Sequence, residues 1–103
     1  MHYNLGMEIR YELNGDLFVW DEAKAAANLA KHGLRFEQAA SVFADPLFVL
    51  VDASRHGERR DAAIGFDSSG RLLYVVHIEI EATCIRIISA RRAEFNEESI
   101  YVD

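Results

Sequence analysis

The sequence predicts an α+β fold, on three observations. Apolar and polar residues alternate over 7–20 around Asn14-Gly15, the strongest short-range signal for a β-hairpin. Residues 22–44 then place apolar side chains at helical spacing, and from residue 47 the period returns to two. Strands and helices in separate blocks predict a layered sandwich with helices on one face of an antiparallel sheet. At 103 residues, half of them hydrophobic, the chain is of one-domain size and can bury a core.

Each element has its own signal. Met7–Leu13 and Leu17–Trp20 read as strands joined by a type I′ turn, and residues 1–6 as a loose tail. The first helix runs about 22–32, with Asp21 as N-cap and Gly33 as its stop. The second runs roughly 36–44 on a stripe of Phe36, Ala39, Ala40 and Phe43, and Pro46 prevents its continuation. Leu47–Val51 reads as a strand, Asp52–Glu58 as a polar loop and Arg59–Phe66 as the next strand. After the turn Asp67-Ser68-Ser69-Gly70 come a long strand, Arg71–Glu81, and its isoleucine-rich partner Thr83–Ser89. Residues 92–101 have helical propensity. The expected architecture is an N-terminal hairpin, a three- to four-stranded meander, two helices on one face and a short C-terminal helix, one domain over 1–103.

Composition narrows the function. A net charge of −6 and a pI near 5.1 argue against a general nucleic-acid binder. The charge is uneven, because residues 54–91 hold six arginines against five acids whereas 92–103 hold one arginine against four acids, so a local basic surface is expected. The single Cys84 has no intramolecular disulfide partner and reads as a small core residue. There is no apolar run of membrane-spanning length and no signal peptide, so a soluble cytoplasmic protein is expected. His2, His32, His56 and His77 lack the spacing of zinc ligands, and no glycine-rich phosphate loop or nucleophile elbow occurs. Neither metal nor cofactor is expected.

Four groups could carry chemistry. On the first helix Lys24, Asn28, Lys31 and His32 share a face, while Ala23, Ala26, Ala27 and Ala30 form the other and would pack closely. Lysines and an amide contact phosphate, and an imidazole can move protons near neutral pH. Taken alone, this is also what a solvated helix face looks like. Arg59 and Arg60 open a strand, and parity does not decide which faces a site; Glu58 or Asp61 can pair with one of them. His77 falls with Val75 and Glu79, opposite Tyr74, Val76, Ile78 and Ile80, which read as the core set, so His77 is expected on the less buried side. Arg86 projects outward from an isoleucine strand, and Arg91 and Arg92 follow where that strand should end. Histidine, lysine and arginine without metal suit RNA cleavage by the 2′-hydroxyl. That reaction needs a base, cations at the phosphorane and an acid for the 5′-oxygen.

Together these motifs resemble the BrnT-type toxins. Phe18-Val19-Trp20-Asp21 with Lys24, Asn28 and Lys31-His32-Gly33, then Phe36-Glu37 and Ala39, is similar to the family's opening signature. Glu58, Arg60, Gly65, His77 and Arg86-Ile87-Ile88-Ser89-Ala90-Arg91 with Ala93 are similar to its second half, so the likeness covers about 17–101. The resemblance implies a RelE-like fold and a metal-independent ribonuclease toxin of a bacterial type II toxin–antitoxin module. It also implies a BrnA-type antitoxin that neutralises the toxin in a hetero-oligomer and carries the binding to operator DNA. On this chain it points to His32 for acid–base work, with Lys24, Arg60, Arg86 and Arg91 on phosphate and His77 for the second proton transfer. Trp20, as a stacking platform or a buried anchor, and Lys31, Asn28 and Arg59 complete the expected RNA contacts. A catalytically inactive binding module within an antitoxin–DNA complex is the alternative. The chain departs from the pattern at Glu81-Ala82-Thr83, which lacks the glycine and charges often seen there, in the acidic stretch Glu94–Glu98, and in the strand Met7–Leu13.

Overall fold

In the computed structural model, which describes residues 6–102, one six-stranded sheet runs in the order β1-β2-β6-β5-β4-β3. In chain order the elements are β1 (Glu8–Leu13), β2 (Asp16–Asp21), α1 (Glu22–His32), α2 (Phe36–Ser41) with a 3₁₀ turn Val42–Ala44, and β3 (Val49–Asp52). They continue with β4 (Asp61–Phe66), β5 (Leu72–Glu81), β6 (Cys84–Arg92) and α3 (Phe95–Val102). Of the loose tail expected over 1–6, residues 1–5 lie outside the described residues, and Gly6 is exposed.

The α+β reading holds, and the local signals act where they stand. Asn14 and Gly15 have φ of 54° and 86°, the two positive values a type I′ turn demands. Asp21 accepts the Lys24 N–H at 3.0 Å, and Gly33, at φ 71°, donates its N–H to the Leu29 carbonyl at 2.8 Å. The hairpin joins the meander through one parallel pairing, Leu17–Val19 of β2 against Cys84–Arg86 of β6; every other pair is antiparallel.

The main core lies between one sheet face and α2. Phe18, Trp20, Leu34, Phe36, Ala39, Ala40, Val42, Leu73, Val75 and Ile87 form it. At Gly65 of β4 the backbone passes so close to this packing that a Cβ would stand 2.9 Å from the Phe48 Cβ. α3 covers the opposite face over β4: Tyr101 donates to Asp45 at 2.7 Å and meets Phe66 edge-on at 5.2 Å. Among the described residues no helix is long and apolar enough to cross a membrane.

Three expectations are corrected. On β5 it is Leu73, Val75 and His77 that face the core, while Tyr74, Val76 and Ile78 take the other face, half-buried. Both parities of this strand carry apolar residues, and the more uniformly apolar one, Leu72 to Ile80, is the face turned away from the core, so alternation alone misorients it. On α1 the alanines Ala23, Ala26, Ala27 and Ala30 are exposed, and the one buried residue is Asn28. β2 leaves β6 after Arg86, so the far end of β6 has no strand beside it on that side, and α1 lies there instead. What such an edge requires is a hydrogen-bonding side chain, not a small apolar one. Cys84 is half-buried at the start of β6, not a core residue.

Candidate active site

The site is built on the sheet face opposite the main core. A bulge in β6 decides which side chains reach it. His77 pairs with Ile87 but Val76 with Ser89, so Ile88 is the extra residue and the parity of β6 flips there. Arg86, Ser89 and Arg91 therefore lie on one face, opposite Ile78, Val76 and Tyr74 respectively.

α1 reaches this face because Asn28 fastens it to the bare edge of β6. Its Oδ1 accepts the Ala90 N–H at 3.0 Å, and its Nδ2 donates to the carbonyls of Ala90 at 3.0 Å and Leu34 at 3.1 Å. One buried amide thus does for Ala90 what a neighbouring strand would do. Lys31 and His32, one turn further on, come to stand over the open face.

The result is a cleft of about 560 Å³ lined by Lys31, His32, Ala53, Ser54, Arg55, Arg60, Tyr74, Val76, Ser89 and Arg91. Tyr74, Val76, Ser89 and Arg91 are its strand-borne residues, and the stretch 53–55 before β4 contributes a wall. Two of its arginines are held by carboxylates. Arg60 donates from Nε and Nη2 to Glu58 at 2.9 and 2.6 Å. Arg91 donates from Nη1 and Nη2 to the two oxygens of Glu97, both at 2.8 Å, and lies 4.2 Å from the centre of the Tyr74 ring. The Glu97 hydrogen bonds raise the Arg91 pKa further, so its charge is permanent. Lys31, His32 and Arg55 make no ion pair among the described residues. Among the same residues no three His, Cys, Asp or Glu side chains are grouped as metal ligands. A lining of this kind can bind a phosphodiester, balance added negative charge on phosphorus and exchange protons.

Of the residues singled out from sequence, His32, Lys31, Arg60 and Arg91 meet in this cleft. Arg60, not Arg59, is the inward one; the Arg59 side chain is 83% exposed and stands 3.9 Å from Asp61. Arg86 shares the face but lies outside the cleft, bound to Glu8 of β1 at 2.7 Å. Lys24 is exposed in the first turn of α1, eight residues and about 12 Å along the axis from His32. Asn28 and His77 are placed against expectation, and Trp20 takes the buried-anchor reading of its two. Asn28 is the buried fastener, 6% exposed, and has no free amide for RNA. Trp20 is 2% exposed between Tyr11 and Phe36, so it anchors the core and offers no stacking surface. His77, 3% exposed, lies on the opposite sheet face, edge-on to Phe43. Its Nδ1 stands 3.0 Å from the Val75 carbonyl, which can only accept, so Nδ1 carries the proton. Burial lowers the His77 pKa against the opposing pull of that carbonyl and of Asp61 and Glu79. It is a neutral structural residue.

Tyr74, Ser89, Arg55 and Glu97 are parts of the site that sequence reasoning did not assign, whereas the pairing of Glu58 with one of the two adjacent arginines is found at Arg60. The bulge hid Ser89 and Tyr74, since no local signal marks Ile88 as the extra residue. Glu97 had a signal: the acidic stretch after β6 begins three residues after Arg91.

The family model described as the ribonuclease toxin BrnT of type II toxin–antitoxin systems matches residues 20–97, a span that contains every residue of the cleft and Glu97. The crystal structure of the Brucella abortus ribonuclease toxin BrnT is similar, with a TM-score of 0.57 at 26% identity, over 73% of this chain and 92% of that one. No curated protein matches. β1 and all but the end of β2 precede the matched span.

Proposed function

Because the chain belongs to the BrnT family of type II toxin–antitoxin ribonuclease toxins, we propose that its open-face cleft is a metal-independent endoribonuclease site. The observation that carries this reading is the meeting of Lys31 and His32 from the C-terminus of α1 with Arg60 from the loop entering β4 and Arg91 from β6. In the reaction a base removes the 2′-hydroxyl proton and the 2′-oxygen attacks the adjacent phosphorus. The bond from phosphorus to the 5′-oxygen breaks, and that oxygen takes up a proton, leaving a 2′,3′-cyclic phosphate and a 5′-hydroxyl. His32, the one imidazole in the lining among the described residues, serves as the acid–base group. Arg60, Arg91, Arg55 and Lys31 hold the phosphate and stabilise the charge that develops on it. His77 takes no part, since a sheet lies between it and the cleft. The second proton transfer falls to Lys31, Ser54, Tyr74 or Ser89, which also carry protons in the lining.

In the cell the protein would act in the cytoplasm, cut RNA and so inhibit translation until a BrnA-type antitoxin binds it, with operator DNA contacted through the antitoxin. A specific observation favours a second reading. Arg60 and Arg91 already hold carboxylates, as they would in a catalytically silent binding module of an antitoxin–DNA complex. Expression in bacteria separates the two. The ribonuclease reading requires growth arrest and RNA decay that His32→Ala and Arg60→Ala relieve and that co-expression of the neighbouring open reading frame suppresses. Normal growth with folded, soluble protein would favour the silent module.

A further inference from the structure

The C-terminal helix bears on the cleft at one point, and the hydrogen bonds there are specific. Glu97 is 7% exposed although it belongs to an acidic, otherwise solvated stretch. Besides its two bonds from Arg91, it accepts the Glu94 backbone N–H at 2.7 Å. Glu94 immediately precedes α3 and Glu97 is the helix's third residue, so this is the returning half of a capping box. One carboxylate thus starts the helix and holds the arginine. A detachable latch would not be built this way, because releasing Arg91 would also uncap α3.

The bonds also leave Arg91 with one edge free. Nη1 spends its two protons on Glu97 and on the Arg92 carbonyl, at 2.8 and 3.1 Å, and Nη2 spends one on Glu97. Nε–H and the second Nη2 proton have no partner among the described residues. A guanidinium presents these two on its lateral edge, spaced for two phosphate oxygens. Tyr74 lies under the plane of the group and removes its freedom to swing.

Resting on the ribonuclease reading above, we infer that Glu97 is a positioning residue that fixes Arg91 over Tyr74, so that the free Nε–Nη2 edge forms a phosphodiester subsite of the cleft. The acidic C-terminal stretch then contributes to RNA binding at this residue instead of opposing it. Glu97 adds no attraction of its own. It raises affinity by removing conformers in which Arg91 points elsewhere.

The test uses a short 2′-deoxy oligonucleotide, which cannot be cut, so binding is read whether or not the protein proves to be an active ribonuclease. Wild-type protein should shift the Arg91 Nε–H resonance on titration. Glu97→Gln, close in shape and uncharged, should weaken binding about threefold to tenfold and broaden that resonance. Arg91→Lys should weaken it comparably, and the double variant should add little to either single change. Tyr101→Phe loosens the contact of α3 with Asp45 but leaves Glu97 in place, so it should bind as wild type and controls for helix stability. Unchanged or tighter binding by Glu97→Gln would overturn the inference, because Glu97 would then be competing with phosphate. Additive losses in the double variant would overturn it as well. Failure of catalysis with intact binding would refute only the ribonuclease reading.

Discussion

Asn28→Ala is the change that most directly tests how this fold makes its site. The side chain is buried and makes three hydrogen bonds, two with Ala90 and one with Leu34, at 3.0–3.1 Å. Each contributes a net stability of about 1 kcal/mol, and truncation would leave an N–H and two carbonyls without their partner. Removing all three is therefore expected to cost about 3 kcal/mol, equivalent to a fall in Tm of about 12–24 °C for a domain of this size. Urea denaturation measures the loss, and an unchanged m-value would show that the same surface still unfolds. Asn28→Asp sharpens the test. Its carboxylate can still accept from Ala90 N–H but faces two carbonyls it cannot donate to, so it should be no more stable than Asn28→Ala at neutral pH. If RNA cleavage is measurable, it should fall by more than the folded fraction does, since His32 lies one turn beyond the fastener and a shift of about 1 Å in a reacting group can cost about 100-fold. A stability loss below about 0.5 kcal/mol, the range of ordinary surface changes, would refute the view that this amide organises the edge of β6.

Two further predictions concern the core. Burial holds the His77 pKa below its ordinary 6.5, so the unfolded chain binds the proton more readily. The stability this residue confers is complete above about pH 6.5 and declines as pH falls from there through its folded pKa. His77→Gln should flatten that part of a urea stability–pH profile, and an unchanged slope would count against a neutral buried imidazole. Gly65→Ala should destabilise by about 1–3 kcal/mol in thermal unfolding, because its Cβ would meet the Phe48 Cβ at 2.9 Å and Val42 Cγ1 at 3.0 Å.

How much of this was legible in the sequence follows from which forces act locally. Caps, turns and helix lengths depend on neighbours within a few residues, so Asn14-Gly15, Asp21 and Gly33 announced their roles correctly. Facing depends on what lies across the sheet. β5 offers apolar residues on both parities, and only the packing of α2 against Leu73 and Val75 selects the core side. The same selection buried His77 and brought Tyr74 to the cleft. The α1 face differs from expectation because its small apolar alanines read as the packing side. At the free edge of β6 the backbone supplied better partners, and Asn28 turned inward while the alanines stayed out. The cleft itself was half legible: His32, Arg60 and Arg91 could be nominated by type and likeness, whereas the bulge at Ile88 that brings Ser89 and Arg91 beside Val76 and Tyr74 has no sequence mark.

The charges of the cleft pose a final question, which is how an acidic chain of net charge −6 would bind RNA. Arg60 and Arg91 each carry their own carboxylate, so at a distance they contribute little net charge and at contact they contribute geometry. Lys31 and Arg55 are the lysine and arginine of the lining without such a partner among the described residues. Single-stranded binding loses affinity with salt at a slope of about −0.7 for each phosphate neutralised. Two uncompensated cations predict a log–log slope of about −1.4, whereas four fully charged contacts would give about −2.8. Fluorescence anisotropy of a 2′-deoxy oligonucleotide over a salt series measures it, and Lys31→Ala and Arg55→Ala should each lower the magnitude by about 0.7. Arg91→Lys should weaken binding yet leave the slope nearly unchanged, because it removes a fixed geometry and retains the charge. A slope near −2.8 in the wild type would mean that RNA displaces Glu58 and Glu97 from their arginines, and the pairs would then be gates instead of supports.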